Sequence, residues 1–579
     1  MADTIHGHDE LMAQIEELRN FISRFNTETF VKFIENDWLI KNNNFIRTGN
    51  SQAYEDLMSP ERQILYLYGM IMSTSEPSPA YMFDDRAWRL VCASLNAIFL
   101  YYSHPDELSN TIKNFNDFEK QLVASQEFLY SFNVGSRMTV DNLLQYLQQY
   151  YVPFDNELKN LIGISASSTL SIIQDIESKL RSDIDGLMQI RRELPEGTTM
   201  TDLLQDNPKN NIELSEKLRS LMERQFMFNI DDLHTKYGEE TCKKFCEQFV
   251  STRGKVKSIT YINDLNLFQY APFIQHEESW LLCPLINWAY QAAIITFEKL
   301  LSTSTALPNY PRRRSEIMEN QVLGLFSSLE DKSASIYHKL YETHDLHNEH
   351  DIIIKVGRTL IAVESKAGKK QEPFWNPDKA FDRIAREFKS DTGIQKAYDQ
   401  SMSLYHKWKA GETITLYDKQ DHEVLNILPS EIDQIYGVCI TREDIGAVAV
   451  SVPRLLTRKN DSPFPLVMSV FDLERYISTW NYFHWDWARF IDFIDQRLKL
   501  YDICFSSDEI EYLGFYIHHG SLNFLFRNGL VYVDQDYSSI VDLIYYRDYT
   551  GKEITFSPKT PDAPQSIYEN GIVMYFYRC

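Results

Sequence analysis

Nowhere in the chain does an apolar run approach the ~20 residues that a bilayer-spanning helix needs. The first dozen residues also lack the basic and apolar regions of a secretory signal. These absences predict a cytoplasmic protein with no membrane partner. Cysteine is sparse: Cys92, Cys242, Cys246, Cys283, Cys439, Cys504 and Cys579 are odd in number and contain no CxxC pair. That spacing excludes a disulfide framework and predicts reduced thiols. Cys242 and Cys246 stand one helical turn apart with no matching pair of histidines, so burial rather than zinc is expected there. The chain has no P-loop, no GxGxxG unit, no Ser-His-Asp pattern, no fixed-period repeat and no low-complexity tract.

Positive charge is scarce too. Fifty-eight Lys and Arg against 82 Asp and Glu leave a net charge of −24, which argues against a surface generally adhesive to nucleic acid. The deficit is uneven. Residues 310–420 hold 18 Lys plus Arg and 17 Asp plus Glu, a net +1, so the remainder carries −25.

What is present points to several domains, because 579 residues exceed the ~250–300 at which one core stops growing. The expected class is multidomain α plus α/β: an α-helical part over 1–305, a mixed-sheet core over 306–458, and an α+β part over 459–579. In the first part apolar residues recur at helical spacing over 11–25, 86–102, 155–194, 239–249 and 280–301. Asp84 or Asp85 is placed to cap the second of these, and 158–192 reads as one extended helix or a helical hairpin. Breaks are expected at 77–79, 196–197 and 207–209. This helical half is the expected surface for a protein partner or a second copy.

After residue 307 the pattern changes. A helix over 315–329 precedes strand-like runs at 335–341, 350–356 and 359–365. A Pro-containing loop follows at 372–377, then a long helical pattern over 378–408 and strands at 412–417 and 435–441. This order predicts a mixed sheet flanked by helices. Further on, 471–498 reads as helical and aromatic-rich, with Trp480, Tyr482, Phe483, Trp485, Trp487 and Phe490 expected in packing. Short β-rich runs predominate over 509–579.

The informative stretch is 349–370, EHDIIIKVGRTLIAVESKAGKK. It reads as two Ile/Val-rich strands joined by a tight turn at Gly357 and Arg358. Asp351 opens the first strand, and Glu364 and Lys366 close the second. Residues two apart in a strand face the same way, so Glu364 and Lys366 project together while Val363 and Ser365 face oppositely. A hairpin brings Asp351 across to that end. Two carboxylates and one ammonium thus meet at the edge of an apolar sheet, where the ionised carboxylate pair repels itself and desolvation raises its pKa values unless a cation intervenes. Mg²⁺, or Mn²⁺, suits such hard oxygen donors beside a phosphate. Lys366 is then placed to orient a nucleophile or to neutralise transition-state charge.

The triplet by itself means little, since an acid two before a lysine arises by chance about four times in such a chain. Glu177, Ser178 and Lys179 form the identical tripeptide inside a helical pattern, where a solvated face is expected. Strand context and the upstream Asp351 distinguish the second copy.

Glu349-x-Asp351, the short apolar hairpin and Glu364-Ser365-Lys366-Ala367-Gly368 resemble the PD-(D/E)XK nuclease superfamily, restriction-endonuclease-like, and within it the nuclease-related-domain or RecB-like branches. The resemblance covers about a quarter of the chain, residues 314–441. It implies that Asp351 and Glu364 bind Mg²⁺ and that Lys366 is the catalytic lysine. It also implies a metal-shell Glu on the preceding helix, Glu319 or its competitor Glu316. A site-facing Gln on the following helix is implied too, Gln400 or alternatively Gln395 with Tyr398. The loop over 369–379 is longer and more aromatic than a minimal core needs. The implied activity is Mg²⁺-dependent hydrolysis of DNA, endonucleolytic, leaving 5′-phosphate, and such cores on large scaffolds are often bacterial host-defence effectors. RNA as substrate, or a silent DNA-binding or assembly scaffold, are the alternatives.

Lys369, Lys370, Arg383 and Arg386, with Lys389, are candidates for a nucleic-acid path or for an ordinary solvated face. Phe374 and Trp375 are candidates for base stacking or core packing. His344, His347 and His350 form an H-x₂-H-x₂-H run, expected as exposed turn histidines rather than metal ligands.

Overall fold

The computed structural model describes residues 5, 7–36, 57–103, 120, 123, 140–194, 200–204, 212–262, 264–284, 286–368, 377–390, 393–459, 461–547, 551–569 and 572–579. The chain divides into two compact units, the first built chiefly from Asn50–His104 and Gly135–Tyr310, the second chiefly from Pro311–Cys579. Among the described residues no helix is long and apolar enough to cross a membrane, and all seven cysteines are free.

The first unit is mainly helical, as the 3.6-residue spacing predicts. Helices run over His8–Ile22, Pro60–Met72, Asp85–Ser103, Glu239–Phe249 and Ile286–Thr303, among others. Asp84 Oδ1 accepts the Ala87 amide at 2.9 Å and caps the third of these. The stretch 155–194 is not one helix. It is two successive helices, Asp155–Ile162 and Ala166–Glu193, broken where Gly163 takes φ +82° and restarted where Ser165 accepts the Ser168 amide. Residues 280–282 do not begin a helix: Trp280–Leu282 pairs antiparallel with Met227–Asn229 in a four-stranded sheet that apolar periodicity did not reveal. The expected breaks at 196–197 and 207–209 lie outside the described residues.

The second unit carries a seven-stranded mixed sheet. Its strands are β1 (Ser335–Tyr341), β2 (Glu349–Val356), β3 (Thr359–Lys366), β4 (Ile414–Tyr417), β5 (Glu423–Ile427), β6 (Gln434–Thr441) and β7 (Leu466–Ser469). Their spatial order is β7-β6-β3-β2-β1-β4-β5. β1, β2 and β3 form an antiparallel meander, and Gly357 at φ +56° makes the β2–β3 turn. β6 then pairs parallel with β3 over eight residues, from Gln434↔Thr359 to Thr441↔Lys366. Parallel neighbours need a crossover, and the chain between them supplies helices α2 (Pro377–Phe388), α3 (Ile394–Ser401) and α4 (Ser403–Lys409) plus the β4–β5 hairpin. Helix α1 (Tyr310–Ser327) precedes β1. The 378–408 pattern is thus three helices rather than one, with Gly393 at the first junction described.

Burial explains why β2 and β3 sit centrally. Ile352, Ile353, Ile354, Ile361, Ala362 and Val363 are all fully buried, and each large aliphatic side chain so buried contributes roughly 1.5–3 kcal/mol. β7 lies beyond the expected boundary at 458 yet forms the sheet edge against β6, so the sheet draws on both expected parts. The aromatic set after it does pack: Trp480 is fully buried and meets Trp485, Phe490 and Phe493 edge-on. The 509–579 stretch contains helices Glu509–His519 and Ser538–Tyr545 besides its strands.

Candidate active site at one end of the central strands

Antiparallel pairing brings the start of β2 to the end of β3. The ladder stops at Ile352↔Val363, and beyond it Asp351 Oδ2 accepts the Ser365 backbone amide at 2.7 Å. A side chain thus takes over where backbone pairing ends, fixing Asp351 beside Glu364 and Lys366. Glu364 is fully buried, flanked in register by Cys439 of β6. Burial first, then the neighbouring charges of Glu364 and Glu319, push the Asp351 carboxyl up to about 8. The Lys366 charge and the Ser365 amide pull the other way without outweighing them.

Gln400 on α3 meets Lys366. Lys366 Nζ donates to Gln400 Oε1 at 3.0 Å, and Gln400 Nε2 donates to the Glu349 carbonyl at 3.3 Å. The alternatives turn elsewhere: Gln395 bonds Asp399 and the Thr457 backbone, and the buried Tyr398 hydroxyl meets Ser462. On α1, Glu319 forms a 2.8 Å ion pair with Lys339, whereas Glu316 pairs with Arg312 in the adjoining turn. Of the two, it is the Glu319 charge that helps to raise the Asp351 carboxyl.

His350 requires a correction. His344 and His347 are exposed, paired with Asp421 and Asp345, but His350 is only 1% exposed. Its Nδ1 lies 3.1 Å from Glu364 Oε1 and its Nε2 3.0 Å from Glu342 Oε1. Carboxylates only accept, so both ring nitrogens donate. Burial opposes the charged ring, yet hydrogen bonds and charge from Glu342 and Glu364 push His350 up to about 9. Burial likewise acts to raise Glu342, but His350, Lys407 and Ser403 hold it at about 2. Lys407 Nζ reaches Glu342 Oε2 at 2.6 Å, and Ser403 Oγ donates to Oε1.

His350 stands opposite Leu340, beside an interruption of the extended backbone of β1. Tyr337 and Leu340 of β1 pack on the same apolar cluster as Ile353, Leu360 and Ala362. Residues three apart share a face only where the two-residue period is interrupted. Lys339, at φ +53°, supplies the interruption. His350 is the register partner of Leu340, and opposed residues share a face. It is therefore turned to the side of Ala362 and Glu364. The sequence reading took it for an exposed histidine of the turn entering β2, and the stretch around it does not show that Glu342 and Glu364 close over it. The available signal was a His beside an Asp at a strand start.

Helix α2 carries further expected residues. On α2, Ile384 and Phe388 pack with Tyr398 and Cys439, leaving Arg386 and Lys389 exposed and Arg383 half-buried. Lys369, Lys370, Phe374 and Trp375 lie outside the described residues. The duplicate tripeptide is helical as expected, but Glu177 is not solvated: it is 8% exposed and accepts from the Tyr290 hydroxyl and Arg181.

Among the described residues, no group of three or more His, Cys, Asp or Glu side chains is arranged to hold a metal ion. The oxygen donors at the strand ends are a pair, Asp351 and Glu364, with Glu319 committed to Lys339. One observation fits a hard cation. Glu364 Oε2 is buried and has no hydrogen-bond partner among the described residues, an uncommon state for an ionisable oxygen. The chain matches no protein-family model, no curated protein and no solved structure.

Proposed function

We propose that the chain is a divalent-metal-dependent phosphodiesterase of the PD-(D/E)XK type that hydrolyses DNA. The observation that carries this reading is the unpartnered, buried Glu364 Oε2 beside Asp351, with Lys366 at the same strand end. The order helix, antiparallel meander, helical crossover and parallel strand supports it, since it accords with the core that the resemblance implies.

Asp351 and Glu364 would hold Mg²⁺, which takes one or two protein carboxylates and leaves the rest of its shell to water and phosphate. When bound, the cation supplies Lewis-acid polarisation of a phosphoryl oxygen and acidification of the attacking water. The chain's own residues do the rest. Lys366 presents a cation to the charge that grows on phosphorus-bound oxygens, and Gln400, a neutral acceptor, aims that ammonium without quenching it. The Ser365 amide holds one Asp351 oxygen. The apolar floor of β2 and β3 keeps bulk water from the strand side, which strengthens each of these interactions. Arg383 and Arg386 are proposed phosphate contacts along α2.

The test uses the purified full chain with supercoiled plasmid, linear DNA and RNA, in Mg²⁺, Mn²⁺ or EDTA, beside Glu364→Ala and Lys366→Ala. Metal-dependent cutting of DNA that both substitutions abolish is expected. Cutting undiminished in both variants assigns the chemistry elsewhere, cutting of RNA alone changes the substrate, and no cutting of any substrate overturns the reading.

A further inference from the structure

We propose that His350, anchored by Glu342, is a positioning residue that determines which Glu364 oxygen is presented to a divalent cation. The inference rests on the metal-dependent reading above and deepens it.

The two oxygens of Glu364 are in unequal states. Oε1 is held by His350 Nδ1 at 3.1 Å, and Oε2 has no partner among the described residues. The terminal torsion of a glutamate is soft and roughly two-fold, so without a donor on one oxygen nothing distinguishes them. His350 cannot follow a rotating carboxylate, because its Nε2 is tied to Glu342 at 3.0 Å. Glu342 is in turn fastened to α4 by Lys407 and Ser403. The chain Lys407/Ser403–Glu342–His350–Glu364 therefore runs from a helix to one carboxylate oxygen and leaves the other bare.

A purely structural buried ion pair accounts for less. Such pairs give little net stability over apolar packing, and one built for stability would satisfy both oxygens of its central carboxylate. An outer partner that orients a ligating group leaves the ligating atom open, and its loss typically lowers metal affinity or activity 10–100-fold.

The experiment measures plasmid cleavage against Mn²⁺ concentration for wild type, His350→Ala, His350→Asn and Glu342→Gln, with Mn²⁺ binding followed by calorimetry. In His350→Ala the half-saturating Mn²⁺ concentration should rise roughly 10–100-fold, with the rate at saturating Mn²⁺ staying within about threefold of wild type. His350→Asn, whose amide can donate from nearly the Nδ1 position, should recover most of the shift. If His350→Ala does not fold, Glu342→Gln makes the comparison, since it loosens His350 without emptying the core. Wild-type Mn²⁺ dependence in a folded His350→Ala or Glu342→Gln protein overturns the positioning role while leaving the nuclease reading intact. Conversely, wild-type protein that cuts nothing yet binds Mn²⁺ in a manner lost in Glu364→Ala and weakened in His350→Ala removes the nuclease reading and upholds the positioning role. Absence of Mn²⁺ binding by the wild type overturns it.

Discussion

The Lys366 ammonium donates to the Gln400 carboxamide oxygen at 3.0 Å, linking the end of β3 to helix α3. A neutral acceptor orients the ammonium and leaves its charge available. Gln400→Ala should therefore lower the cleavage rate about 10- to 100-fold, the scale of a misplaced catalytic group, with the melting temperature little changed. Gln400→Glu should be at least as slow, because an ion pair spends the charge that the transition state needs. Lys366→Ala removes the charge itself, and a loss of about 10²–10³ is expected. Single-turnover rates at saturating metal check all three.

Asp351 gives a pH dependence with a definite sign. Its folded-state value near 8 lies above the ~3.9 of an unfolded aspartate. Between those values the folded protein keeps a proton that the unfolded chain has released. Stability contributed by this group is complete below pH ~4 and is lost as pH rises through about 8. In EDTA, wild type should melt at lower temperature at pH 8 than at pH 6, and Asp351→Asn should reduce that difference. Mg²⁺ should raise the pH 8 melting temperature of wild type but not of Asp351→Asn.

Glu319 and Glu316 are separable by mutation. The Glu319 charge helps to raise the Asp351 carboxyl and Glu319 pairs with Lys339, whereas Glu316 pairs with Arg312. Glu319→Ala should reduce metal-dependent cleavage about tenfold, and Glu316→Ala should leave it within twofold. Equal effects in cleavage assays would remove the distinction.

Arg497 and Glu509 form a bidentate ion pair at 2.8 and 2.9 Å, both residues fully buried. The guanidinium lies between the rings of Tyr501 and Tyr512. Glu509→Ala leaves an unpaired buried cation and should destabilise by about 3–5 kcal/mol in urea denaturation. The double substitution Arg497→Met with Glu509→Leu should be milder than either single change, because it removes both charges together.

Strands β1, β2, β3 and β6 and the placement of Asp351, Glu364 and Lys366 were legible because their signals are local. Alternating or continuous Ile/Val runs with a Gly turn specify a buried hairpin, and a two-residue spacing specifies a shared face. Short β5 and β7 were not legible. Leu466–Ser469 is a strand because β6 offers it a parallel edge, and nothing in four residues announces a partner. Glu177 was expected on a solvated helix face, and its own stretch does not show the Tyr290 hydroxyl that a distant helix brings to it.

Local order thus follows from residue spacing: which segments are helical, where the central hairpin turns, and which end of it gathers two acids and a lysine. The choice of Gln400 over Gln395, of Glu319 over Glu316, and the burial of His350 between Glu342 and Glu364 depended on the folded arrangement. Each rests on which side chain of another element lies nearby: Gln400 beside Lys366, Lys339 beside Glu319, and Glu342 with Glu364 around His350. Contacts between elements far apart in sequence leave no periodic trace, because they form only once the chain has folded and the spacing within one strand or helix does not encode its neighbours.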